Sequence, residues 1–200
     1  ICAKWSGPKP IEQAFDPESK TGALAASIQV FKVTPENIAD VRGFIDTGEV
    51  RDAVMDKFRS DQQKIIDKVK SGEIKTEVVG GVAYVESTDR AATNVGYSMV
   101  PVVVAVNPAM KLGQQGVPFR KVSICQHEAG YVDLTAVKTE LAAKENGWGG
   151  SPTFIGSPQN QDCSTSISDI KKLVFTNLTP EYKAKVTSLD GKTAGKGKGE

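Results

Sequence analysis

Histidine is nearly absent. His127 is the only one in 200 residues, so no site that needs two histidines can form within this chain. The three cysteines, Cys2, Cys125 and Cys163, stand far apart without a CxxC pair, which also disfavours zinc coordination of the Cys–His type. Their odd number and scatter fit thiols in a reducing compartment, and the cytoplasm is the expected location; one disulfide with one free thiol is the alternative. A charge surplus is missing too: 25 basic against 24 acidic residues leave a formal net charge of +1. That gives no support for a strongly basic nucleic-acid surface and leaves room for a local patch. Long apolar runs are lacking. The longest, Met99–Val106, has the length of a buried strand, so no membrane partner is expected. No signal-peptide pattern opens the chain, and a first residue of Ile1 suggests a processed chain or a fragment. Neither GxxxxGK[ST] nor a GxGxxG that opens a helix is found.

What is present reads as one globular layer. Residues 1–33 are loop-like around Pro8, Pro10 and Pro17, with Thr21–Phe31 readable as a short helix or a strand. Thr34, Pro35 and Glu36 form a helix start, and that helix runs to about Ile45. Val54, Phe58, Ile65 and Val69 share one face among charged neighbours, which predicts a long amphipathic helix over 49–71 with Gly72 as its left-handed cap. Then the period changes. Two β-rich runs flank Gly80-Gly81, a hairpin signal. A short helix or connector over 89–97 leads to a β-branched central strand that Asn107-Pro108 ends, and Phe119–Gln126 is a further strand. Asp133 caps a helix that carries Leu134, Val137 and Leu141, a strand follows in "PTFIGS", and Ser166 with Asp169 opens a last helix. From about Val186 the chain is rich in Gly and Lys, a composition that predicts disorder. The expected fold class is α/β (or α+β), a mixed sheet of about five strands covered by helices. The expected division is 1–48, a linker-type helix at 49–72, a ligand-binding α/β domain at 73–185, and a tail at 186–200.

The stretch "ENGWGGSPTFIGSPQ", residues 145–159, concentrates Gly147, Gly149, Gly150 and Gly156 around Trp148 and Phe154. So much bare backbone has two explanations. It is a tight helix-to-strand turn with Gly147 as the cap, or a surface where a ligand touches successive amides, an anion-binding nest. Cations lie nearby in sequence at Arg90, Arg120 and Lys121. If the strands at 100–106, 119–126 and 152–156 are neighbours, Arg120, Ser123 and the glycines converge. A thiol–imidazole pair could use only Cys125 and His127, two residues apart; the alternative is a strand thiol and a solvent-facing histidine in a turn.

From about Ile74 to Gly156 the order of elements resembles the C-terminal substrate-binding domain of the Asp-His-His (DHH) phosphoesterase superfamily. That superfamily includes exonucleases, oligoribonucleases and pyrophosphatases. "VSICQ" takes the place of the family's strand, "YVDLTAV" of its helix start and "GWGGSPTFIG" of its glycine motif. The helix at 49–71 takes the place of the linker between the family's two domains. The strand arginine that contacts phosphate in the family falls on Cys125, and the glycine-motif histidine on Ser151. The metal-binding Asp-His-His domain has no counterpart in this chain.

The resemblance implies a phosphate- or nucleic-acid-binding module that is not catalytic by itself. Its ligand would be single-stranded nucleic acid or a small phosphoester, contacted by Arg120, Ser123, Gly149, Gly150 and Ser151. No cofactor is expected in this chain; manganese or magnesium would enter only with a catalytic domain supplied upstream or by a partner. Loss of the two side-chain helpers gives the alternative, a structural or interaction subunit of a larger assembly that keeps the fold without the ligand site. A third reading is a small enzyme built on Cys125, His127 and Asp133.

Overall fold

A computed structural model of the chain describes residues 4–19, 39, 42, 46–47, 52–113 and 115–186. The run Thr21–Phe31, the tail beyond Val186 and all of the expected helix at 34–45 except Ala39 and Arg42, both helical, lie outside the described residues. The chain falls into two compact units, Pro10–Gly72 and the remainder, Ile1–Lys9 with Glu73–Glu200.

The smaller unit holds α1 (Ile11–Ala14) and α2 (Asp52–Lys70). The α1 turn corrects the expectation of loop there. Pro10 stands just before the helix, where its missing N–H costs nothing, and its carbonyl accepts from Gln13 N and Ala14 N at 2.9 and 3.0 Å. The amphipathic helix is present. Its most buried residues are Phe58 and Ile66, with Val54, Ile65 and Val69 half-buried. Gly72 ends it at φ +77°, as its position predicts. A groove of about 530 Å³ runs past Phe15 and Ile66, rimmed by Glu12 and Arg59. Its rim charges are paired internally, Glu12 with Lys70 at 2.6 Å and Arg59 with Glu18 at 2.7 Å.

The larger unit is a mixed α/β layer on a six-stranded sheet. Along the chain run β1 (Lys75–Val79), β2 (Val82–Glu86), α3 (Ala92–Tyr97), β3 (Val102–Met110), β4 (Phe119–Gln126), α4 (Leu134–Lys144), β5 (Gly149–Ser151), β6 (Phe154–Gly156) and α5 (Ile167–Thr176). In space the order is β1-β2-β3-β4-β6-β5. Only β2 and β3 are parallel, joined through α3; every other pair is antiparallel. The β3 strand does not stop at Asn107-Pro108. It continues to Met110 across a register shift between those residues, the kind of irregularity where a strand tolerates proline.

Strand alternation divides the sheet into two faces. Val82, Tyr84, Val102, Val104, Val122, Ile124 and Ile155 point to one, and α4, α5 and the helical segment 180–186 cover them with Leu134, Leu141, Ile170, Val174 and Tyr182. The other face carries Ala83, Val103, Ser123, Cys125 and Phe154. There α3 lies over β3 so closely that a Cβ on Gly96 would run into the Val103 methyls. Asp133 caps α4 by accepting from Thr135 N and Ala136 N at 3.0 Å each. Ser166 caps α5 by accepting from Asp169 N at 3.1 Å.

Candidate ligand face on strands β4, β6 and β5

The glycine stretch is an edge rather than a turn. Helix α4 ends at Glu145, whose extended backbone breaks it, and Gly147 turns the chain two residues later at φ +101°. Gly149–Ser151 then runs as β5, pairs with β6 and forms the sheet's outer edge, which is the sixth strand beyond the five expected. Gly149 and Gly150 are paired residues of this strand, and the tight turn after α4 falls at Gly147 before them.

The glycines serve different ends. At Gly150, φ is +138°, and a Cβ would run into Phe154 O and the Cα of Ile155. Hairpin packing therefore requires it to be bare. Over Gly156 lies the Lys121 ammonium, 3.2 Å from where a Cβ would stand. A Cβ on Gly149 would meet nothing within 4 Å, and its φ is not in the left-handed region. Packing gives no reason for glycine at 149.

Register places the candidate side chains in rows. Ser123 stands opposite Gly156, which stands opposite Gly149; Cys125 stands opposite Phe154, which stands opposite Ser151. These rows share the face that α3 covers only as far as Cys125. Beyond it the surface is open: Phe154 is 47% exposed, Gly149 and Ser151 are exposed, and Ser123 is half-buried. Ser151 Oγ lies 3.3 Å from Thr153 Oγ1. Lys121 belongs to the same face. Its ammonium donates to the carbonyls of Ser157 and Pro158, and among the described residues no carboxylate pairs with it. Burial pulls its pKa below the usual lysine value.

Three of the five expected site residues, Ser123, Gly149 and Ser151, thus share one face; Gly150, opposite Ile155 of the core face, and Arg120 do not. Arg120 is one residue out of phase with Ser123, so it points to the opposite face, where its guanidinium donates to Cys163 O at 2.8 Å. The cation in phase with Ser123 on the candidate face is Lys121, which counting alternate residues back from Ser123 would have found. Phe154 was missed as well; its place on the outward face shows only once β6 is in register with β4. Arg90 is exposed at the start of the connector.

No catalytic pair forms at Cys125 and His127. The Cys125 thiol is 1% exposed, and burial raises its pKa to about 12 against the hydrogen bonds it shares with Thr93 and Tyr97. A thiol held neutral is no nucleophile. His127 stands at the bend after β4 and is half-buried: its ring packs edge-on to Tyr97 at 5.2 Å, and its Nδ1 has no hydrogen-bond partner, with a Glu128 carboxylate oxygen 4.0 Å away. Asp133, the third residue of that reading, is engaged as the α4 cap.

Two buried polar groups hold the ligand face in place from behind. Gln126 donates to Val132 O and Pro152 O at 3.0 and 2.7 Å and accepts from Tyr131 N and Val132 N. It ties the end of β4 to the β5–β6 turn. Glu145, 8% exposed, accepts from Trp148 Nε1 at 3.0 Å, Thr165 Oγ1 at 3.0 Å and Ser164 N at 2.7 Å. Burial alone would raise its pKa, but these donors outweigh it and hold the carboxyl at about 2.

Among the described residues no group of three or more His, Cys, Asp or Glu is placed to hold a metal, and no helix is long and apolar enough to cross a membrane. No family model and no curated protein matches this chain.

Proposed function

We propose that this chain is a binding module for single-stranded nucleic acid or a nucleotide-like phosphoester, and that it holds the ligand on the open face of β4, β6 and β5. The supporting observation is the exposed Phe154 ring on the same face as Lys121, Ser123, Ser151 and the unobstructed backbone of Gly149. An aromatic ring offers a stacking platform for a base, while a lysine, hydroxyls and bare amides suit a phosphate. The ring favours a nucleotide over a bare phosphate, which would have no use for it. The resemblance to the DHH substrate-binding domain supports the same reading through the order of its elements. Any phosphodiester cleavage would come from a metal-bearing domain elsewhere. The buried free thiols of Cys125 and Cys163 are in keeping with the reducing cytoplasm.

Titration with a short single-stranded oligonucleotide tests this. Binding should weaken as salt rises and protect the amides of 149–151 from hydrogen exchange. Phe154→Ala should weaken it roughly 5- to 100-fold, the worth of one stacked base, with stability unchanged to within about 0.5 kcal/mol because the ring is exposed. Unchanged protection at saturating oligonucleotide would sink the reading. A second reading, a structural subunit without a ligand, has its own support: Cys125, where the family carries its arginine, lies under α3 and is closed to any ligand.

A further inference from the structure

The opposite edge of the sheet is β1, which pairs with no strand but β2 among the described residues. All five residues of β1 are exposed, with Val78 and Val79 at 47% and 49%. The ring of Phe175, 52% exposed, lies against Gly80 at the end of the same edge. Natural sheets blunt such edges with proline, bulges, a covering element or charged side chains, because unpaired N–H and C=O groups recruit another strand; here the edge charges are Lys75 and Glu77, of opposite sign. β1 has no proline, and its register with β2 runs without a shift.

The hydrogen-bonding phase of this edge follows from its turn. Gly80 and Gly81, at φ +56° and +76°, form the two-residue turn with both central φ positive, in which Val82 N–H bonds Val79 C=O. Alternation from that pair assigns Lys75, Glu77 and Val79 to bonding with β2 and turns the N–H and C=O of Thr76 and Val78 outward. A second copy of β1 related by a two-fold axis must set outward residues opposite outward residues. Centred on Lys75 or on Glu77, such a pairing places that charge opposite itself. Centred on Val78, it runs the turn glycines into the ladder. Centred on Thr76, it sets Lys75 opposite Glu77 of the second copy twice over, with Thr76 opposite Thr76. Opposite charges and paired threonines are both favourable across strands, and like charges are not.

We propose that two copies of this chain pair antiparallel through β1, centred on Thr76, into one continuous sheet. The present partner of Lys75 is the exposed Glu86 at 2.7 Å; that of Glu77 is the half-buried Lys171 at 2.6 Å, and a carboxylate can accept from a second lysine as well. Light scattering on the full chain over rising concentration tests this. The wild type should reach twice the monomer mass. Glu77→Lys, which sets lysine against Lys75, should remain a monomer, and the double swap Lys75→Glu with Glu77→Lys should restore the dimer. Thr76→Pro removes an outward N–H and leaves the bonds to β2 intact, so it should give a monomer with an unchanged far-ultraviolet circular dichroism spectrum. Wild type at monomer mass at every concentration, a double swap that stays monomeric, or a dimer that survives Thr76→Pro would each overturn the proposal.

Discussion

Gly149 and Gly150 are adjacent and chemically identical, yet the fold needs only one of them. At Gly150 the backbone has φ +138°, and a Cβ would meet the main chain of Phe154 and Ile155, which cannot move aside. Gly150→Ala should therefore cost about 2–4 kcal/mol in urea denaturation, from left-handed strain plus the clash. Gly149→Ala meets open space and should change stability by no more than about 0.5 kcal/mol. If the edge binds ligand as proposed, the same Gly149→Ala should weaken oligonucleotide binding, because a methyl group would stand where the ligand approaches. Equal stability costs for the two variants would refute this division. Neither role could be read from the letters "GG". A tight turn and a bare edge share the same composition, and only the pairing of β5 with β6 separates them. Arg120 against Lys121 is the same lesson at one-residue resolution: a candidate cation is defined by its phase in the strand, and strand phase was legible from Val122, Ile124 and Ser123.

Elements that bury one face were legible, and elements held by few contacts were not. β4 was readable to its ends and α4 from its cap and its buried Leu134, Val137 and Leu141, because cap, period and burial agree. The three-residue β5 was not, since its residues carry no period and are all exposed. The four-residue α1 was hidden by the prolines around it, and β3 outran its proline through a register shift. The cap makes a separable prediction. Asp133→Ala should cost about 1 kcal/mol, as loss of an N-cap carboxylate does. It should leave oligonucleotide affinity unchanged, because the Asp133 carboxylate is engaged with Thr135 N and Ala136 N of its own helix. A loss of affinity in a folded Asp133→Ala protein would instead revive the reading that places Asp133 in a functional site.

For the molecule as a whole, one buried carboxylate joins segments distant in sequence. Glu145 follows α4, leads towards β5 and accepts hydrogen bonds from the 164–165 segment ahead of α5. Removing it should be costly everywhere in the larger unit: Glu145→Ala leaves the Trp148, Ser164 and Thr165 donors without their acceptor, worth about 2–5 kcal/mol. Its titration adds a direction. The folded carboxyl sits at about 2, against 4.5 for the free group. A depressed acid contributes stability that is complete above its unfolded pKa and is lost as pH falls through the folded one, here between about pH 4.5 and 2. Glu145→Gln keeps the size of the side chain and removes the titration. Thermal midpoints measured from pH 7 to pH 2 should therefore show the variant less stable at neutral pH. The gap should narrow as the wild type protonates, leaving the variant with the flatter acid limb. Parallel curves across that window would mean that the carboxylate is not the acid-sensitive joint between these segments, whatever Glu145→Ala costs at neutral pH.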